Sequence, residues 1–167
     1  MNLAPYVGWF VFLHVVGAFL FVLAHGVSAF VAFRVRRERD PARVAALLDL
    51  SLGAMNVAGV GLLILLVAGI ASGLVLNSFS KGWIWASIVV LVVVGGAMTP
   101  IGASYYTRLR GAVGQRTRGM KPEDPAPVAL GSAELAQLLD SRRPEALAVV
   151  GGVGFLVILW LMMFRPF

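Results

Sequence analysis

The two histidines of the chain, His14 and His25, are the residues best suited to coordination chemistry. They stand eleven residues apart in "FLHVVGAFLFVLAHGVSAF", residues 12–30, a stretch without charge. In an α-helix this spacing leaves them about 20° apart around the axis and about 16 Å apart along it. They share a helix face, but they cannot ligate one metal ion, because two imidazole nitrogens on one ion lie only about 4 Å apart.

Each histidine could instead hold a separate haem iron at its own depth. Methionine can supply a second axial ligand, and Met98 is predicted at a depth like that of His25, with Met55 on another apolar run. The predicted cofactor is haem b. A five-coordinate haem on His25, or one haem shared by His25 of two subunits, stays open. The candidate cofactor-binding residues are His14, His25, Met55 and Met98, with both histidines as haem-iron ligands.

The alternative is that each histidine is neutral and hydrogen-bonds a carbonyl or a serine across a helix interface. We favour this alternative for His14, which is predicted near the outer membrane interface. We favour a cofactor role for His25, because ionisable residues deep in a membrane usually mark function.

Other reactive arrangements are missing from the sequence. The chain has no cysteine, which excludes disulfides and thiolate metal sites. It has no nucleophile–base set, paired carboxylates, phosphate-binding loop or zinc spacing. We predict no catalytic residues, and enzyme activity is not the favoured interpretation.

The composition is that of a membrane protein. Hydrophobic residues make up 59% of the 167 residues and charged residues 13%, against about 25% charged in soluble domains. A spanning helix needs about 20 apolar residues. The sequence predicts one integral membrane domain over residues 1–167, with spans at about 6–33, 52–76, 83–107 and 146–164 and basic loops at 34–51 and 108–145.

The positive charges set the predicted orientation. Cytoplasmic loops carry an excess of Lys and Arg, and here twelve such residues lie on one side against two on the other. Both termini are therefore predicted outside, and the net charge of +6 reflects orientation in a lipid bilayer and not nucleic-acid binding. The loop residues are Arg34, Arg36, Arg37, Arg39, Arg43, Arg108, Arg110, Arg116, Arg118, Lys121, Arg142 and Arg143; Lys81 and Arg165 lie opposite.

Both basic loops contain helical signals. "DPARVAALLDLS" begins with Asp40 as a predicted N-cap and Pro41 in the first helical position. "SAELAQLLDSRRP" offers Ser132 as a possible N-cap. A basic interfacial segment of this kind can bind anionic lipid headgroups, although the orientation rule alone accounts for the charges.

An internal repeat relates the two halves. "AALLDLSLGAMNVAGVGLLIL" from Ala45 resembles "AQLLDSRRPEALAVVGGVGFLVIL" from Ala136, and "FRVR" at 33–36 resembles "TRLR" at 107–110. Each half reads as a span, a basic loop, a short amphipathic helix and a span. Because both halves run in the same direction across the membrane, we predict two parallel helical hairpins in an all-α bundle of four transmembrane helices.

The opening "LHVVGAFLFVLAHG" followed by "RVRRERDPAR" resembles four-span bacterial membrane proteins of the copper-resistance-D-like group. Within that group, the chain is similar to small integral membrane proteins and to HemJ-type protoporphyrinogen oxidases. The resemblance implies a multi-pass protein of the bacterial inner membrane. It also implies that the histidine of the Leu-His motif, His14, holds haem, whereas the depth argument favours His25.

These observations leave two main hypotheses for function. The first is a haem-binding membrane protein for electron transfer or haem handling. The second is a cofactor-free structural or accessory subunit, with other membrane subunits or a second copy as partners. A copper-related role follows only from the family resemblance and the mixture of histidine and methionine.

Overall fold

In the computed structural model, residues 3–117, 119–121 and 123–167 are described. Arg118, one of the predicted loop cations, lies outside the described residues. The α-helices are α1, Val7–Val35; α2, Pro41–Val75; α3, Gly82–Ala112; α4, Ser132–Leu139; and α5, Arg143–Phe164. Short 3₁₀ turns at Ala4–Tyr6 and Ser78–Ser80 precede α1 and α3.

The prediction of an all-α membrane protein is confirmed. Within the described residues, four helical segments are long and apolar enough to cross a bilayer: Ala4–Val35, Pro41–Val75, Gly82–Ala112 and Ser132–Phe164. In lipid, a helix satisfies every backbone hydrogen bond within its own segment, which is why these apolar runs are helical. Each span corresponds to one of the four predicted runs.

The second span begins earlier than the sequence pattern suggested. We expected a short amphipathic helix followed by a span from about residue 52, but α2 runs without a break from Pro41 to Val75. The side chain of Asp40 accepts a hydrogen bond from the backbone N–H of Ala42 at 2.9 Å, which confirms the predicted N-cap. No proline or charge interrupts the chain between the amphipathic segment and the apolar run, so the helix continues.

The second half keeps its amphipathic helix separate. The N-cap of α4 is Gly131, and Ser132 is the first helical residue, so the expected serine cap is displaced by one position. Residues 140–142 are not helical and separate α4 from α5. Pro144 lies at the start of α5; in a helix continuing from α4 it would leave the Asp140 carbonyl without a donor and press its ring on that carbonyl. Pro144 therefore explains why this hairpin bends where the first one continues.

Within the membrane, the helices pack as two hairpins. In the first hairpin, α1 and α2 approach so closely that a Cβ added to Gly17 would lie 2.5 Å from the backbone nitrogen of Leu65, and one added to Gly61 would lie 2.7 Å from that of Phe21. In the second hairpin, α3 and α5 meet where Val94 packs against Gly154. Small residues allow such close approach in a membrane.

The two hairpins join in a hydrophobic core at the end that carries segments 34–51 and 108–145, which we call the basic end. This core follows the internal repeat. The alignment of "FRVR" with "TRLR" matches Val31 with Tyr105 and Val35 with Leu109, and the alignment of the two "LLD" motifs matches Val44 with Leu135 and Leu48 with Leu139. All eight residues are buried in one cluster, with Ala112. Equivalent positions of the two halves therefore pack against each other.

Ion pairs connect the two hairpins in both directions. Arg36 donates to Glu145 at 2.5 Å, and Arg39 pairs with Asp140 at 3.4 Å. In the opposite direction, Arg110 pairs with Asp49 at 3.1 Å. Arg110 is the repeat equivalent of Arg36. Each half thus extends an arginine to a carboxylate of the other half.

Candidate functional site

His14 lies in the seam between α1 and α2. Its Nδ1 is 2.8 Å from the backbone carbonyl oxygen of Leu65 on α2. The ring fits there because Gly69 has no side chain, and a Cβ added at Gly69 would lie 2.8 Å from His14 Nδ1. His14 therefore makes the interhelical carbonyl contact that we favoured for this residue.

This hydrogen bond also determines the tautomer of His14. A carbonyl oxygen only accepts, so Nδ1 must carry the proton and donate it to Leu65. In neutral imidazole the other nitrogen, Nε2, then has a free lone pair. Histidine ligands of metals commonly show this arrangement, with the non-coordinating nitrogen bonded to a backbone carbonyl.

His25 has different surroundings. Its ring stacks on that of Phe21, with centroids 5.3 Å apart and planes at 28°. Its Nδ1 is buried and has no hydrogen-bond partner among the described residues. The ring is held by an apolar contact, and no hydrogen bond to Nδ1 from the described residues sets its tautomer.

The two predicted methionine ligands have separate positions. The side chain of Met98 on α3 lies against α5, since its Sδ would be 3.2 Å from a Cβ added to Gly151. Met55 on α2 is 41% exposed. The packing thus engages Met98 within the second hairpin and leaves Met55 at the surface of the first.

The helix stripe that carries both histidines reaches the second hairpin only at the basic end, through Arg36. Arg36 follows His25 by eleven residues, as His25 follows His14, so the three positions form one slowly drifting stripe. Arg36 keeps a helical backbone conformation and contacts Glu145 at the start of α5. The stripe thus begins at His14, in the seam with α2, and ends at Arg36, in contact with the second hairpin.

A polar cluster that sequence reasoning missed lies where α1, α2 and α3 meet. The buried hydroxyls of Ser28 and Ser51 are hydrogen-bonded at 2.6 Å, and the Tyr106 side chain lies near both serines. The neighbouring Tyr105 is only 4% exposed, and its hydroxyl has no partner among the described residues. The sequence did not indicate that Ser28 and Ser51 pair, because their contact depends on the register between α1 and α2.

Acidic and histidine side chains do not form a metal-binding cluster in the described part of the chain. Across residues 3–117, 119–121 and 123–167, no three His, Asp or Glu side chains form a group that could hold a metal ion. The chemistry available within the spans is that of the two imidazoles, the methionine thioethers and the hydroxyl cluster.

The fold and its four spans define a multi-pass integral membrane protein. The family model described as "Predicted integral membrane protein (DUF2269)" matches residues 9–166, and the chain belongs to this family. No curated protein sequence and no solved structure matches the chain. The narrower grouping with copper-resistance-D-like and HemJ-type proteins stays a prediction.

Proposed function

We propose that the protein binds haem b in the membrane through Nε2 of His14. The observation that carries the proposal is the hydrogen bond from His14 Nδ1 to the Leu65 carbonyl. It fixes the ring on α2, selects the Nδ1-protonated tautomer and leaves Nε2 available for iron. Histidine is the common proximal ligand of haem iron.

We choose His14 over His25 because a hydrogen bond holds the His14 ring in place. A ligand ring that is held by a hydrogen bond keeps its orientation, whereas the Nδ1 of His25 has no such partner. Of the predicted ligands, His14 would hold the group, since the Met98 side chain packs against Gly151 within the second hairpin. Bound haem would supply one-electron chemistry, and this chain's contribution would be to hold and orient it.

The test is the optical spectrum of the protein expressed with a haem precursor and purified in mild detergent. We expect a Soret band and reduced-state bands in the wild type, their loss in His14→Ala and their retention in His25→Ala, the matched control on the same helix. Added imidazole should restore the band in His14→Ala by replacing the missing ligand. A folded wild-type sample without a Soret band, or a band unchanged in His14→Ala, would contradict the proposal.

A second pair of variants tests how the ligand is positioned. Gly69→Ala places a methyl group on the His14 ring, whereas a Cβ at Gly59 on the same helix meets no atom within 4 Å. We expect Gly69→Ala to weaken haem binding and shift its spectrum, and Gly59→Ala to leave both unchanged. Equal behaviour of the two variants would show that the seam at Gly69 does not position the ligand.

A cofactor-free subunit of a larger membrane complex is the second candidate function. The observation that favours it is the open surface at Gly95 and Gly96 on α3, where an added Cβ meets no atom within 4 Å. Small residues on a lipid-facing helix let another helix approach closely. A stoichiometric partner that co-purifies with the wild type and is lost in Gly95→Leu, with no Soret band, would support this role over haem binding.

A further inference from the structure

A groove at the basic end of the first hairpin combines cations with an apolar floor. It lies between the last turn of α1 and the first turns of α2, and it is independent of the histidines. Its lining residues are Arg34, Glu38, Arg43, Ala46, Leu47 and Leu50. Arg34 belongs to the last turn of α1, and Arg43 is the third residue of α2.

The two arginines of the groove are only weakly engaged by protein groups. Arg34 is 3.9 Å from Glu38, and Arg43 is 3.4 Å from Asp40. Their side chains remain 50% and 72% exposed. Both arginines also act on the Glu38 carboxylate in the groove, but ion pairs this exposed contribute little to stability, and each guanidinium keeps N–H donors for a further anion.

The position of Arg43 is costly for the isolated helix. The N-terminus of a helix carries partial positive charge, so a cation in the first turn is unfavourable and an anion there is favourable. The second hairpin conforms to this rule, because Glu134 occupies the position in α4 that corresponds to Arg43. The Asp40 carboxylate at the N-cap offsets part of this cost, and a bound anion near Arg43 would offset it further.

The floor of the groove indicates that the anion belongs to a lipid. Arg43, Leu47 and Leu50 follow the spacing of one helix face, and Leu50 is 55% exposed. On α1, Phe30 precedes Arg34 by one turn and is 71% exposed. From the arginines toward the membrane, the surface therefore changes from cationic to apolar, as a phospholipid does from headgroup to acyl chain.

We propose that this groove binds an anionic phospholipid, with its phosphate between Arg34 and Arg43 and an acyl chain along Leu47 and Leu50. The internal repeat allows this groove to be compared with the equivalent positions of the second hairpin. Arg108 is the equivalent of Arg34 in the second hairpin and is exposed, but Glu134 replaces the second cation there. At the positions equivalent to Arg34 and Arg43, the second hairpin therefore carries one arginine and one glutamate.

The experiment measures thermal unfolding of the full chain in nanodiscs of phosphatidylglycerol or of phosphatidylcholine, followed by tryptophan fluorescence. We expect phosphatidylglycerol to raise the midpoint of the wild type by about 2–4 °C. The double variant Arg34→Gln/Arg43→Gln should lose this rise, and the matched control Arg108→Gln should keep it. High salt should reduce the rise, because the headgroup contact is electrostatic.

Several results would overturn the proposal. They are an equal phosphatidylglycerol rise in the double variant, an equal loss in Arg108→Gln, or an equal rise when inorganic phosphate is added to phosphatidylcholine discs, which would identify a simple anion site. If the double variant unfolds in both lipids, the same measurement is made on the single variant Arg43→Gln, because the exposed Arg43 side chain has no role in the core. Its retention of the full rise would also contradict the proposal.

Discussion

At the scale of single residues, glycine determines how closely the helices of the first hairpin approach. Gly17 and Gly61 face each other's helix backbones at distances where no side chain fits. Other glycines of the same helices, such as Gly26 and Gly59, have open space around them. The glycine content is therefore divided between packing positions and positions that tolerate larger residues.

We predict that Gly17→Ala destabilises the protein, because its methyl group would press on the backbone of α2, which cannot move away as a side chain could. The expected loss is about 1–3 kcal/mol. The measurement is the unfolding midpoint in mild detergent. Gly26→Ala on the same helix is the control and should be neutral or slightly stabilising. Equal loss in the two variants would mean that helix approach is not what Gly17 provides.

We expect the stability of the protein at acidic pH to depend on Glu38. The backbone N–H groups of Asp40 and then Arg39 donate to its carboxylate and hold its pKa below the usual 4.5, with smaller help from nearby arginines. Because the folded pKa is depressed, this contribution is present above the unfolded pKa and is lost as pH falls through the folded value. We predict that stability falls less between about pH 5 and about pH 3 in Glu38→Gln than in the wild type. Parallel unfolding curves across that range would refute this.

The residue scale also shows what one sequence can reveal about the site. The interhelical hydrogen bond of His14 was expected from its apolar setting, but the identity of its acceptor depends on helix register. The Ser28–Ser51–Tyr106 cluster depends on the register of three helices, and no local pattern encodes it. The predicted methionine ligands were chosen by depth alone, which says nothing about the direction in which Met98 points.

At the scale of elements, the helices themselves were largely predictable. Apolar runs without charges must be helical in lipid, so all four spans were identified. The boundaries were harder, because an amphipathic segment and a span can fuse when no breaker separates them, as in α2. Pro144 supplies such a breaker between α4 and α5, and the two halves differ at that point although their motifs are alike.

We predict that the start of α2 depends on the Asp40 side chain. Asp40→Ala removes the acceptor for the Ala42 N–H and should cost about 1 kcal/mol. Asp40→Asn keeps a cap oxygen and should retain most of that stability. Chemical denaturation in detergent measures both, and hydrogen exchange of the first turn locates the effect. Equal losses in the two variants would point instead to the charge of Asp40 and its pairing with Arg43.

At the scale of the whole molecule, equivalent residues of the two repeats form one shared core, which we call the two-fold core. Ion pairs run from each hairpin to the other around it.

We predict that Arg36→Glu destabilises the protein and that adding Glu145→Arg recovers part of the loss. The coupling should be about 0.5–1 kcal/mol, because both side chains are partly exposed. Arg37→Glu is the control for charge alone, since its exposed side chain lies beside this pair. A double variant no better than Arg36→Glu would show that the pair does not couple the hairpins.

The two-fold core has a consequence for synthesis of the protein. Val31, Val35, Val44 and Leu48 complete their cluster only with residues from Tyr105 to Leu139. When the first hairpin has entered the membrane, half of this core still faces water at the basic end. The nascent chain therefore passes through a stage in which these four apolar residues are present without the second half of their core.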